Sequence, residues 1–486
     1  MKFFKRNIKF ITLLALVPFL NSCFDDQLEG INTDPLAATE ADPATLLPFV
    51  QISLANTRTS ELGIRAADIP EYYGQGFSGA AIGSPSPNQV GNTFVNRFES
   101  VLGNLEVIRL QSEQAGEAND AVRAVAMIMQ QMTFLELTLI FEDIPYSQAL
   151  NASEFPTPIF DSQEDVLNGI VDALEDAKAV IDNIAVDQVP VNGDLYYGGD
   201  VTLWRKFATS LQIRTLMILR NRDTSRDGTL VSLLDEDLID VNTEIPQVVY
   251  VDAPANDNPY RQVIDDFFSG SNFDSETWSP RNTMVDPMNA MNDPRRDIWF
   301  TQTTAGEYVG LATRGFPASN TTTSMLSDDN VLRGDLPDIM FTPTEIDLYE
   351  AELTLLNVLP GGAAAAQTAF ERGVSLNLEQ WSAQLGGALS STDITNFIQN
   401  DLPDLTTLSN QEALEAVYFQ QWVDGFLRVI EGWTHVRRTG FPVIDTPPGT
   451  TLSGYTRRFF YPVAEENANP NTPASKSLDV PHWFEN

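Results

Sequence analysis

The sequence predicts a mainly α-helical protein, with helix pairs over about residues 42–220 and 342–442 and a large irregular, loop-rich region, about 221–341, between them. Three observations carry this. Large apolar residues recur at steps of three and four through most of the two flanking stretches. Helix-start signals stand at the head of several of these runs, as at Ser409 with Glu412 three residues on. Between Asn221 and Met340 the helical period largely disappears and Asn, Asp, Pro, Thr and Ser accumulate.

From the N-terminus, residues 1–22 read as an export signal: Lys2, Lys5, Arg6 and Lys9, then an apolar run from Phe10 to Leu20. That run is short for a membrane span, which needs roughly 20 apolar residues. Residues 23–41 are polar and proline-containing, as a tether would be, and 42–486 read as a single domain. Asp42 is expected to cap a helix with Pro43 at its first position and Leu47, Val50 and Leu54 facing inward. Glu71–Tyr72–Tyr73–Gly74–Gln75–Gly76–Phe77 and the run to Asn92 read as a loop with three aromatic side chains among glycines. Phe94, Phe98, Val101, Leu105 and Ile108 restore the period, and Val125, Met129, Met132, Leu135 and Leu139 mark the buried side of the next helix.

Asp161 and Glu164 suggest a capping box ahead of Val166, Ile170, Leu174, Ala177 and Ile181, and Trp204, Phe207, Leu211 and Ile218 mark another helix, whose Arg214 is expected to pair with a buried carboxylate. The irregular region then scatters Tyr260, Phe267, Phe268, Phe273, Trp278, Trp299, Phe300 and Tyr308. Loops this long in a globular protein are usually functional. Thr342–Pro343–Thr344–Glu345 reads as a capping box, the pattern is weak from Leu376 to Leu408, and Gln411 to Pro442 reads as one helix with Leu414, Tyr418, Trp422, Phe426, Val429, Trp433 and Val436 on one face. Arg437 and Arg438 suit its last turn, and Gly440 and Pro442 stop it.

The net charge of −38 excludes several partners. Residues 1–22 hold four of the cations and no acid, so the remainder stands at −42. A surface that acidic repels nucleic acid and polyanionic substrates. Cys23 is the only cysteine, which leaves no disulfide and no cysteine-rich metal site. With only His435 and His482, a three-histidine zinc site is excluded, and a Ser–His–Asp triad would need one of two badly placed histidines. No phosphate-binding glycine loop, H-E-x-x-H or G-x-S-x-G is present, and no cofactor is expected.

Several segments resemble one family. Phe419–Gln420–Gln421–Trp422, Glu431–Gly432–Trp433 and Arg437–Arg438–Thr439–Gly440–Phe441–Pro442 resemble the C-terminal signature of the SusD/RagB family. In the same order along the chain come Asn32–Thr33–Asp34–Pro35, Asp143–Ile144–Pro145–Tyr146 with Ala149–Leu150, Gly199–Asp200 with Trp204, Lys206, Phe207 and Leu211, Asp293–Pro294–Arg295, Glu350–Ala351–Glu352, and Arg457–Arg458 with Tyr461–Pro462 and Glu465. Leu20–Asn21–Ser22–Cys23 resembles a bacterial lipobox, which implies lipid on Cys23, and Asp25 and Asp26 resemble a signal for display on the outer surface. The resemblance implies four helix pairs similar to tetratricopeptide repeats, an address on the outside of the outer membrane, and a SusC-like TonB-dependent transporter as partner. It implies nutrient capture without catalysis.

A neutral oligosaccharide is the expected ligand, because sugar rings stack on aromatic faces while Asn, Gln, Asp and Arg bond hydroxyls. The candidate contacts are Tyr72, Tyr73 and Phe77 in one loop and Phe273, Trp278, Arg281 and Trp299 in the other. A peptide or another nutrient is the alternative ligand. A glycoside hydrolase is the third reading, since two carboxylates about 5–10 Å apart would serve it. However, 67 acids make such pairs inevitable, and Glu142–Asp143, Asp265–Asp266 and Glu350 with Glu352 have plainer roles at helix ends or surfaces.

Overall fold

In the computed structural model, residues 42–63, 66–75, 87–114, 119–184, 191–254, 256–268, 278–312, 321–446 and 450–485 are described. Pro43–Asn56 (α1) starts with its proline in the first turn and runs into a π-helical stretch, Thr57–Gly63. After strand β1, Tyr73–Gln75, helix α2, Pro87–Asn96, passes through a second π-helical stretch, Arg97–Leu102, into α3, Gly103–Ser112. Val101, Leu105 and Ile108 of the expected face are buried there.

Helix α4, Asp120–Phe141, is capped by the Asn119 side chain, which accepts from the Val122 amide. It is long and apolar enough to cross a membrane, yet 94% of its most apolar window is buried inside the fold, so it is the central core helix. Helix α5, Gln163–Asp182, is capped by Ser162, which accepts from the Asp165 amide. The cap therefore lies one residue after the expected Asp161, as a single bond and not as the box expected from Asp161 and Glu164. Asp161 instead accepts from the Tyr146 and Ser147 amides at 3.0 and 2.8 Å, closing the turn before the helix. Helix α6, Val201–Leu219, is capped by Asp200. Helices α3, α4, α5 and α6 pack side by side in chain order.

The irregular region holds more structure than its sequence pattern shows. It contains α7, Asp227–Leu233; β2, Gln247–Val248; α8, Pro259–Phe268; β3, Trp278–Pro280; α9, Asn282–Ala290; α10, Arg295–Trp299; and β4, Asp338–Ile339. Strands β1 and β3 pair antiparallel, with Tyr73 opposite Pro280 and Gln75 opposite Trp278. Strands β2 and β4 pair antiparallel, with Val248 opposite Asp338.

The second helical stretch comprises α11, Pro343–Leu355; α12, Gly362–Gln384; α13, Ser391–Asn400; α14, Asn410–Asp424; and α15, Val429–Thr439, followed by the short α16, Val463–Ala468. The weak pattern after Leu376 is corrected: α12 continues to Gln384, and α13 has a full capping box from Ser390 and Asp393. Thr342 caps no amide with its side chain, so the capping box read there is absent, although Pro343 does open α11. The box at Ser409 and Glu412 is present in both directions.

The single helix read from Gln411 to Pro442 is two. The break lies at Gly425–Arg428, where Leu427 takes a left-handed φ of 67°. Gly425 and Gly432 flank this turn because the Tyr72 hydroxyl occupies the space that a side chain would need. A Cβ at either would stand 2.3 or 2.0 Å from that oxygen. Two apolar cores result. The larger runs from α1 through α15, and a second lies among α11, α12, α13 and α14.

Candidate functional site

The β1/β3 ladder brings together the two regions in which ligand contacts were expected. Tyr73 begins β1 with Tyr72 just before it, Trp278 opens β3, and Arg281 follows β3, donating its amide to the Tyr72 carbonyl at 3.0 Å. Gln75 and Trp278 are register partners at one end of the ladder. Phe77 and Phe273 themselves lie outside the described residues.

The other five candidate contacts are buried rather than exposed. Tyr72, Tyr73, Trp278 and Trp299 are at most 1% exposed and Arg281 is 3% exposed. Tyr72 stacks on Trp422 at 5.1 Å and donates its hydroxyl to the Trp422 carbonyl. Tyr73 donates to the Gly63 carbonyl and therefore accepts from the Tyr260 hydroxyl, 2.5 Å away. Trp278 meets the Tyr260 ring edge-on at 6.2 Å, and no described residue accepts from its indole N–H. Trp299 stacks on Phe426 at 4.4 Å, beside Trp381. Arg281 pairs with Glu71 at 3.1 Å. The physical reason is general. Irregular backbone lacks a period, but here bridges such as Leu326 N–H to the Trp278 carbonyl tie its own segments together, and its aromatic side chains supply contact with the helical stretches, as Trp299 does on Phe426.

The residues of the recurrent motifs are also structural. Trp422 donates its indole N–H to the Pro70 carbonyl, and Trp433 donates to that of Thr456. Arg438 makes a two-pronged pair with Glu352 at 2.6 and 2.8 Å, joining α15 to α11. Arg437 lies 4.0 Å over the Trp433 ring and donates to the Arg457 carbonyl. Burial lowers it to about 10 despite the nearby Glu485. Arg295 bonds Asp293, Asn377 and Gln420. Asp194 gathers the Gln51 amide group, the Tyr196 and Gly199 amides and the Trp204 indole, which explains the D-L-Y-Y-G-G sequence before α6.

Between the helices lies a buried ionic network. Arg58 bonds Glu136 and Glu431, and Arg97 bonds Glu136. Arg214 bonds Glu345 at 2.6 Å, as its expected buried partner, and reaches Glu431 at 3.4 Å; Arg428 bonds Glu345 and Asp424. Burial pushes Glu136 and Glu345 upward, but two guanidinium groups apiece outweigh it and hold both below the ordinary carboxylate range. The network surrounds a cavity of about 50 Å³, enough for a few waters.

His435 and His482 are buried, and desolvation lowers both well below the usual imidazole value. Each has a polar neighbour of the wrong kind for a catalytic triad: Thr439 for His435, and Gln163 with Arg437 for His482. Among the described residues, no group of three His, Cys, Asp or Glu is placed to hold a metal ion.

Residues 35–462 match the model of a family described as starch-binding and associating with the outer membrane. This chain belongs to the SusD-like family. No curated protein matches it. Among solved structures, a chitin-binding protein is similar at 19% identity, covering 92% of this chain and 100% of its own, with a TM-score of 0.78. A SusD/RagB family protein from Bacteroides thetaiotaomicron VPI-5482 is 18% identical over 92% of this chain and 99% of its own, with a TM-score of 0.74. A SusD homologue from Bacteroides uniformis ATCC 8492 is 21% identical over 91% and 99%, with a TM-score of 0.72. At these identities the likenesses show a shared fold. That fold is mainly α, in the helix-pair arrangement of SusD-like proteins.

Proposed function

We propose that this SusD-like protein is a lipid-anchored protein of the outer cell surface that captures neutral oligosaccharides and passes them to a SusC-like TonB-dependent transporter, without turning them over. The observation that carries this reading is family membership over residues 35–462, a family described as starch-binding at the outer membrane. The lipobox-like Leu20–Cys23 and the acids Asp25 and Asp26 support the address. The strongly acidic composition favours a neutral ligand over a polyanion.

Ligand contact is assigned to the end of the β1/β3 ladder marked by Gln75 and Trp278. Phe77 and Phe273 are the proposed stacking partners, while Tyr72, Tyr73, Trp278, Arg281 and Trp299 are buried within the fold. The test is a glycan array with the chain from residue 24 onward, followed by affinity electrophoresis of Phe77→Ala and Phe273→Ala. An aromatic contact contributes on the order of 1–2 kcal/mol, so either change should weaken binding about tenfold with melting unchanged. Defined peptides binding where no glycan does would replace the ligand class. Glycan affinity untouched by both changes would move the site away from this end.

A further inference from the structure

The ionic network does not balance. Its ion pairs link four guanidinium groups, Arg58, Arg97, Arg214 and Arg428, to five carboxyl groups, Glu136, Asp338, Glu345, Asp424 and Glu431. Among the described residues the network is closed, so full ionisation would leave one uncompensated negative charge in the interior. Such a charge is costly and is ordinarily removed by taking up a proton.

The five carboxyls are not equally placed to take it. Glu136, Glu345 and Glu431 each face two guanidinium groups. Asp424 accepts from the Thr342 hydroxyl, the Asn377 amide group and Arg428. Asp338 is 8% exposed, and its Oδ2 has no hydrogen-bond partner among the described residues. Its nearest cation is Arg58, whose Nε stands 3.8 Å away, beyond hydrogen-bond reach, while the rest of that guanidinium serves Glu136, Glu431 and the Ile339 carbonyl. Asp338 also lines a cavity of about 30 Å³ between the irregular region and the helices, where the Gln380 Oε1 likewise lacks a partner.

We propose that Asp338 is a buried proton site: in the folded protein its carboxyl carries the proton that balances the network, and losing that proton loosens the β2/β4 seam of the irregular region where it meets the helical scaffold. The groups that face it bear this out. Glu136 from α4 and Glu431 from α15 oppose its ionisation, whereas Arg58 from the π-helical stretch and Arg428 favour it. The phenols Tyr196, Tyr250 and Tyr260 also stand near, none of them bonded to it. Burial is the dominant influence and pushes Asp338 up to about 7.

The sign follows from proton counting. An unfolded aspartate titrates near ~3.9, so between there and about 7 the folded chain holds one proton more than the unfolded chain. Stability is therefore fully present at low pH and falls as pH rises through the folded value. Asp338→Asn cannot ionise and lacks this slope.

Equilibrium denaturation of the wild type and Asp338→Asn, at about pH 5.5 and about pH 8.5, tests the site. The ratio of their folding constants should change about thirty-fold between the two, in favour of the variant at the higher pH. Parallel dependence on pH would overturn the proposal. Infrared titration of the wild type does not require the variant to fold. A protonated-carboxyl band that disappears with a midpoint near neutrality is expected, and it should be missing from Asp338→Asn. No such band, or stability that follows the concentration of monovalent cation at fixed pH instead, would show that something other than a proton balances the charge.

Discussion

Replacing Trp278 by alanine separates a ligand-contacting ring from a core ring. The side chain is 1% exposed, so its removal leaves an internal void as well as a lost transfer energy. For a fully buried tryptophan that costs about 3–5 kcal/mol. The unpartnered indole N–H reduces the native side's advantage somewhat, which places the expectation at the lower end. The unit from Pro43 to Asn486 has roughly 440 residues, and its unfolding entropy of about 2.1 cal/mol/K per residue gives about 0.9 kcal/mol per kelvin. Trp278→Ala should then lower a cooperative Tm by about 3–4 °C. Trp278→Phe keeps a ring against Tyr260 and deletes the unpaired N–H, so it should cost less than half as much. Differential scanning fluorimetry, checked by denaturant titration, measures both. If Trp278→Ala melts within about 1 °C of the wild type while glycan binding collapses, the ring lies on the surface and the burial argued above is wrong.

Two further changes test other parts of the reading. Gly425→Ala should cost about 1–3 kcal/mol, because its methyl group would meet the Tyr72 hydroxyl at 2.3 Å. Tyr72→Phe in the same chain should recover part of that loss, and a denaturation cycle showing simple additivity would contradict the contact. Cys23→Ala should be exported and leave the membrane fraction; a variant still firmly membrane-bound would contradict lipid attachment at that residue.

The scaffold was legible where one helix face meets a core. Val125, Met129, Met132, Leu135 and Leu139 step along α4, and the Ser409–Glu412 box opens α14 where it was read. The break between α14 and α15 was not legible, because Phe426, Val429 and Trp433 continue the apolar spacing across it. The turn is decided by Tyr72, some 350 residues away in sequence. Tyr72, Trp278 and Trp299 were misread for a related reason. Strands of two or three residues leave no alternation to detect, so aromatic side chains outside any period looked free when distant partners held them. A usable signal for the ionic network did exist. Glu136 interrupts the apolar run of α4, and a charge there demands a buried partner.

The ionic network also constrains the order in which this chain can acquire its interior. Arg58 meets Glu431 across 373 positions, and Arg214 meets the same carboxylate across 217. A chain delivered from its N-terminus has its early cations long before their last acid arrives. Until α14 emerges, Tyr72 has neither its stacking ring nor its acceptor carbonyl, and until α15 follows, Arg58 and Arg214 each lack one of their carboxylates. Helices α3 to α6 can pair with their sequence neighbours meanwhile, as local contacts close quickly. The final closure waits for the C-terminal quarter, so a chain halted before residue 431 would hold paired helices around an unfinished, charge-bearing centre.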